Sequence, residues 1–469
     1  MSMPSMKKVV IAGVLALGLI FWVLTISRQN RRSSVQSRVA PAAATAVLAP
    51  PDSAVASSSG AHHGFLYGHI TTVDGATYAG RLRWGGSEEA FWGNYFNGFK
   101  DENPWAGHVP SEELTERRPI EIFGFKIADR EHQIDLGRPF MARFGDISRI
   151  EAQSRDIRVT LKSGTTFDLD RRSADDLADG LRVWDAEYGV LDFHEGRLRI
   201  IEFLPAPPQG TGPKRLHGTV RTTQGDFTGF VQWNRRECVV TDTLDGETAT
   251  GERSLPFDTI RSIARDSNES SRVTLVSNEE IVLSGTRDAG HGNRGIYVDD
   301  PRFGRVLISW SAFERIDFSP SGSGPAYGDF PPGRLLRGSV TTFDGETFAG
   351  RLVFDLDESE TTETLDAPSQ GVHYTIPFGL IASIKPPGHG EGGAPRVSVT
   401  LHGGEELQLE HSGDLGEGNP GLLIFANGGE AAQHVPWSDV ERVNFRRPSL
   451  MYPPLNPGVD ALRRRQGDS

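Results

Sequence analysis

Apolar and polar residues alternate along this chain in short runs broken by glycine-bearing turns, and one such run occurs three times. Gly338-Ser-Val-Thr-Thr-Phe-Asp-Gly345-Glu-Thr-Phe348-Ala-Gly350-Arg-Leu352 is matched by Gly68-His-Ile-Thr-Thr-Val-Asp-Gly75-Ala-Thr-Tyr78-Ala-Gly80-Arg-Leu82. A copy one residue shorter reads Gly218-Thr-Val-Arg-Thr-Thr-Gln-Gly225-Asp-Phe227-Thr-Gly229. Period-two alternation on both sides of Asp-Gly or Gln-Gly predicts a β-hairpin, because glycine readily takes the positive φ that a tight primed turn demands. Residues 159–169, 273–283 and 399–409 align with one another without gaps and predict a second hairpin in each copy. Apolar residues then recur at spacing three, as in Phe144-x-x-Ile147-x-x-Ile150, Phe257-x-x-Ile260-x-x-Ile263 and Phe378-x-x-Ile381-x-x-Ile384. The same spacing closes the second halves at Trp310-x-x-Phe313-x-x-Ile316 and Trp437-x-x-Val440-x-x-Val443, predicting a 3₁₀ turn that feeds a last strand.

Repetition at this period settles the organisation before any chemistry is read. The fold expected is all-β, as three tandem repeats at 64–204, 214–318 and 334–447, each a pair of small barrel-like halves. Pro/Gly-rich linkers at 205–213 and 319–333 separate them, and 448–469 is a tail. A half made of two hairpins and a turn before a final strand resembles the small barrels of the Sm-like and PRC-barrel families. The resemblance rests on G-x-V-x-T-x-D-G and P-F-x-x-I-x-x-I and implies a fold with no activity. Sm-like proteins bind RNA, but their binding residues have no counterpart here. The rival architecture is a six-bladed β-propeller with one half per blade, against which the long linkers count.

Ahead of the repeats, Lys7-Lys8 precede an uncharged apolar run at residues 9–26, long enough to enter a bilayer as a helix. No small-x-small cleavage site follows closely, so residues 1–32 read as an uncleaved membrane anchor and the lipid bilayer as a partner through 9–26. Residues 33–63 form an Ala/Ser/Pro stalk of the kind that holds an extracytoplasmic domain off a membrane. Arg28, Arg31, Arg32 and Arg38 outnumber Lys7 and Lys8, which argues for the opposite, cytoplasm-facing orientation. The short N-terminal tail and the stalk favour a single-pass protein facing the periplasm or cell surface.

A formal charge of −13 over 469 residues counts against nucleic acid as a partner. The one cysteine, Cys238, excludes an internal disulfide or a Cys-based zinc site and reads as a buried thiol in a strand. Gly290-His-Gly-Asn-Arg-Gly295 and Gly388-His-Gly-Glu-Gly-Gly393 fit G-x-G-x-x-G but are followed by strands, where a dinucleotide site needs a helix. Asp192, His194 and Glu195 form an acidic/His cluster, with Glu195 standing where the other repeats place Trp310 and Trp437. No catalytic residue, metal or cofactor is expected.

The first repeat departs from the others in length. Gly68 and Val159 are 91 positions apart, against 55 for Gly218 and Val273 and 61 for Gly338 and Val399. The excess is assigned to the stretch holding Phe91, Trp92, Tyr95, Phe96, Phe99 and Trp105, the first five at the spacing of one helical face. These residues are the expected partner-binding surface, or else a lid on their own barrel. The function expected is a non-catalytic, membrane-anchored binding or scaffolding protein of the cell envelope, its partner another protein or an envelope glycan. The alternatives are a carbohydrate-active hydrolase with its site in the first repeat and a cytoplasm-facing tethered module.

Overall fold

The computed structural model describes residues 63–84, 91–100, 102–109, 139–171, 177, 180–207, 214–320, 322, 324–388, 395–426 and 431–448, and the backbone alone of 115–122 and 125–133. The expected anchor, the stalk apart from residue 63 and the tail beyond residue 448 lie outside them. The described residues are all-β, with several sheets and, among them, no helix of seven or more residues. Among the described residues no helix is long and apolar enough to cross a membrane.

The second unit shows the strand order most plainly. Its opening hairpin joins His217–Thr222 to Gly225–Gln232, and a middle hairpin joins Thr243–Thr248 to Gly251–Pro256. Strand Ile260–Arg265 follows, then the hairpin of Ser270–Leu275 with Glu280–Ser284. An outer hairpin of Ile296–Asp300 with Gly304–Ile308 precedes the closing strand Phe313–Phe318. The opening strand pairs with the closing strand (Val220 opposite Ile316), and its mate pairs with the outer hairpin (Val231 opposite Val298). Reciprocally, Ser270–Leu275 pairs with Ile260–Arg265, and Glu280–Ser284 meets the middle hairpin at Glu247. Each half therefore hands its second hairpin and its last strand to the other half. Instead of separate halves or four-stranded blades, hydrogen bonds knit both into one sheet.

The same order runs through the first sheet around Tyr67–Thr72 and the third around Arg337–Thr342. Core-facing positions of the opening strands, Ile70, Val220 and Val340, are fully buried, as alternation on a one-sided sheet requires. Four of the five expected 3₁₀ turns lie at Phe144–Asp146, Phe257–Thr259, Phe378–Leu380 and Trp437–Asp439, whereas the chain at Trp310 makes a turn that is not 3₁₀. The Asp-Gly turns differ in detail from a two-residue primed turn. Thr72 bonds to Ala76 and Thr342 to Glu346, which leaves three-residue loops with Gly75 at φ +86° and Gly345 at φ +91°.

The units are not independent. In the third, the middle hairpin Thr364–Ser369/Val372–Pro377 leaves its own sheet and pairs with the outer strand of the second unit, Val306 opposite Tyr374. That junction makes a 12-stranded sheet and one continuous hydrophobic core through both units. Residues 319–333, expected as a linker, instead strap the second and third units to the first. Tyr327 and Phe330 enter the first unit's core, and the Tyr327 hydroxyl donates to Ile147 O at 2.9 Å. Lys162 Nζ donates to Tyr327 O at 2.6 Å and Phe330 O at 2.9 Å.

Candidate functional site

The aromatic segment is a strand rather than a helix. Tyr95–Phe99 pairs with Pro139–Arg143, and Phe96, Gly98 and Phe99 occupy the positions of Leu244, Gly246 and Glu247 in the second unit's middle hairpin. The excess chain is 100–138, between those two strands, and it carries a hairpin of Thr115–Ile122 with Phe125–Gln133. Phe91, Trp92 and Phe96 are fully buried and Tyr95 is 9% exposed, so these rings are core and not a docking face. Trp92 packs against Tyr327 in a tilted pair at 4.6 Å and meets Phe203 edge-on at 5.9 Å. Phe99 is 49% exposed. Trp105 packs with Phe425 on the third unit, under the Arg351 guanidinium at 4.9 Å.

The acidic/His cluster resolves into surface ion pairs. Arg182 donates to both oxygens of Asp192, at 2.6 and 2.8 Å, and that contact holds the carboxyl below its ordinary value. Arg171 Nε donates to Glu195 at 2.6 Å, and His194 is exposed. The two acids answer to different arginines and do not converge on a pocket. Cys238 is buried, against Phe65, Phe91 and Val239.

A small acidic cavity of about 40 Å³ lies where the first unit meets the third. Lys100 reaches Asp357 at 2.7 Å and Glu363 at 3.2 Å there, beside Glu358, Asp366 and Asp414. Burial, then the neighbouring acids, pushes Glu358 well above the usual carboxylate range. Among the described residues no group of three His, Cys, Asp or Glu side chains could hold a metal ion.

A cavity of about 980 Å³ is bounded by all three units. Gly93, Tyr95 and Arg143 come from the first, and Arg215, His217, Phe230, Asp299, Asp300, Arg302 and Arg305 from the second. Arg334, Thr361, Thr362, His402, Glu405 and Arg447 come from the third, with Phe330 and Pro332 of the strap. Six arginines face three acids, so the cavity is cationic in a chain that is acidic overall. Four of the arginines are held in place by carboxylates. Asp299 bridges Arg305 Nε at 2.8 Å and Arg215 at 3.2 Å, and both guanidinium groups hold it below its ordinary value against burial. Asp300 takes two bonds from Arg302, at 2.7 and 3.0 Å, and Asp146 takes two from Arg143, at 2.6 and 3.1 Å. Arg305 also donates to Gly93 O at 3.1 Å, tying the second unit to the first. Aromatic faces complete the wall: Phe230 lies 4.5 Å from the Arg215 guanidinium and Phe330 lies 5.1 Å from that of Arg143.

No known protein family, curated protein or solved structure matches this chain. The sequence reading missed the cavity, because its wall is assembled from non-equivalent positions of three units. A signal was nevertheless present. After the second hairpin's first strand the units carry Lys162, Val276 and His402, and after the closing strand Pro205, Pro320 and Arg447. On the cavity wall Arg447 stands where both other units have proline, and His402 where the second unit has valine.

Proposed function

We propose that this is a membrane-anchored, extracytoplasmic binding protein of the cell envelope that takes an envelope glycan into its central cavity and does no chemistry on it. Residues 9–26 are the anchor in this reading and 33–63 the stalk. The observation that carries it is the arginine- and aromatic-walled cavity of about 980 Å³. That volume suits an oligosaccharide-sized ligand better than a folded protein, since ligand pockets run to roughly 300–1,000 Å³. Arginines held by carboxylates present donors to sugar hydroxyls and acidic groups without reorganisation. The barrel-pair architecture belongs to the same proposal, in a form where the halves have exchanged hairpins.

Native mass spectrometry of the full chain with neutral and acidic envelope-type oligosaccharides tests this reading. Binding that disappears when Thr228→Trp fills the cavity supports it; binding that survives Thr228→Trp, or no binding at all, refutes it. Alkaline phosphatase fused after Gly60 tests the orientation. Activity fits export, whereas fluorescence from a cytoplasm-maturing protein at the same junction reverses it.

A further inference from the structure

We infer that one corner of the cavity, formed by Thr362, His402 and Arg447, is a subsite for a single carboxylate or phosphate group on the ligand. This rests on the cavity reading above and names the chemistry that the cavity selects. Thr362 is 9% exposed and its hydroxyl has no hydrogen-bond partner among the described residues, and His402 Nε2 is buried without one there. Both line the cavity. A buried polar atom with nothing to bond is unfavourable by about as much as a lost hydrogen bond, so two on one wall point to a group that is meant to arrive.

The corner is held by backbone and not by chance side-chain placement. Thr361 N donates to Arg334 O at 2.8 Å, Gly379 N to Thr361 O at 2.8 Å, and His402 N to Leu380 O at 2.8 Å. The Thr361 hydroxyl accepts from Arg334 N at 3.0 Å. Arg447 stands at the rim and makes no ion pair among the described residues. Burial, then the charge of Arg447, lowers the pKa of His402, so its ring is neutral near pH 7 and can donate or accept according to tautomer. Glu405 shares this wall and its Oε2 is likewise buried without a hydrogen-bond partner among the described residues, so a sugar hydroxyl beside the anionic group would donate to it. A guanidinium at the rim with a hydroxyl and an imidazole behind it suits one oxyanion, which gains charge-assisted bonds from the first and neutral bonds from the others. The repeat gives a control: the second unit has Val276 and Pro320 where the third has His402 and Arg447, so the fold itself does not require the polar pair.

Isothermal titration calorimetry of the full chain with glucuronate, glucose 6-phosphate and glucose separates the carboxylate, the phosphate and the bare sugar. At least one of the anions should bind roughly tenfold or more tightly than glucose. Arg447→Gln and His402→Val should each weaken it by roughly tenfold with an unchanged melting temperature. Thr362→Val, which removes the buried hydroxyl without removing volume, should weaken it in the same direction. Equal binding of all three probes, no binding of either anion, or anion binding indifferent to the Arg447 and His402 variants overturns the subsite. An oligosaccharide that Thr228→Trp blocks but those variants leave untouched overturns the corner alone and leaves the cavity reading standing.

Discussion

Replacing Phe330 by alanine tests whether residues 319–333 are a strap or a spacer. The ring is 8% exposed and lies flat on Gly145, where an added Cβ would come within 2.3 Å of it. The Arg143 guanidinium stands 5.1 Å from its centroid. Truncating a buried phenylalanine costs about 3–5 kcal/mol. One side of this ring borders the cavity, where water can refill the space, so the lower end, about 3 kcal/mol, is expected. Urea unfolding of the full chain should show that loss. Subtilisin should cut the variant within 319–333 well before the wild type, whose first cut should fall at 205–213. A loss below about 1 kcal/mol, with wild type and variant cut equally fast at 319–333, would show the strap to be passive and restore independent units.

Glu237 should make stability pH-dependent. Burial, then Asp288, pushes its carboxyl up to about 7, with Asp242 adding to the rise and Arg236 opposing it. The native state keeps a proton that the unfolded chain releases above about 4.5, so stability should fall as pH rises from about 4.5 to about 7. The full shift is worth about 3 kcal/mol, which screening at this part-exposed group reduces to ~1–2 kcal/mol. Glu237→Gln should flatten the profile in urea melts at pH 4.5, 6 and 8, and an unaltered slope contradicts the assignment. Gly345→Val should cost ~1–2 kcal/mol through strain alone, since φ is +91° and no atom lies within 4 Å of the new Cβ; a neutral substitution means the loop is not as described. Trp92→Ala should cost ~3–5 kcal/mol and Phe99→Ala less than about 0.5 kcal/mol, and similar thermal-melt losses for the two would contradict their burial.

Local periodicity carried the hairpins and the 3₁₀ turns because each is decided within about ten residues by alternation and a turn-forming glycine. Spacing misled at Phe91 to Phe99. Tyr95 and Phe96 are neighbours on opposite faces of one strand, yet both are buried, one on the cavity side and the other in the core. Continuous burial on two faces removes the period-two signal and leaves a spacing that a helix would also give. Composition misled at 319–333, where Pro and Gly suggested a spacer while Tyr327 and Phe330 marked something to be buried. The cavity was the least legible feature. Arg143, Arg215, Arg305 and Arg447 come from three units and line one cavity only in the assembled fold, where the third unit's middle hairpin crosses to the second sheet, and no local pattern encodes that crossing.

The exchange of hairpins between halves sets a clock on how the protein can be made. Gly68 bonds opposite Phe203, 135 positions later, and the second and third opening strands wait for Phe318 and Phe445. At about 5–20 residues per second, Gly68 of the first opening strand waits roughly 7–27 s for its sheet partner to be synthesised. Through that interval it presents an open β-edge and an uncovered apolar face, in a topology whose distant pairings already make closure slow. Each unit must therefore be kept unpaired until its last strand emerges, and the stretch from synthesis to the closing strand is when this chain is most exposed to aggregation.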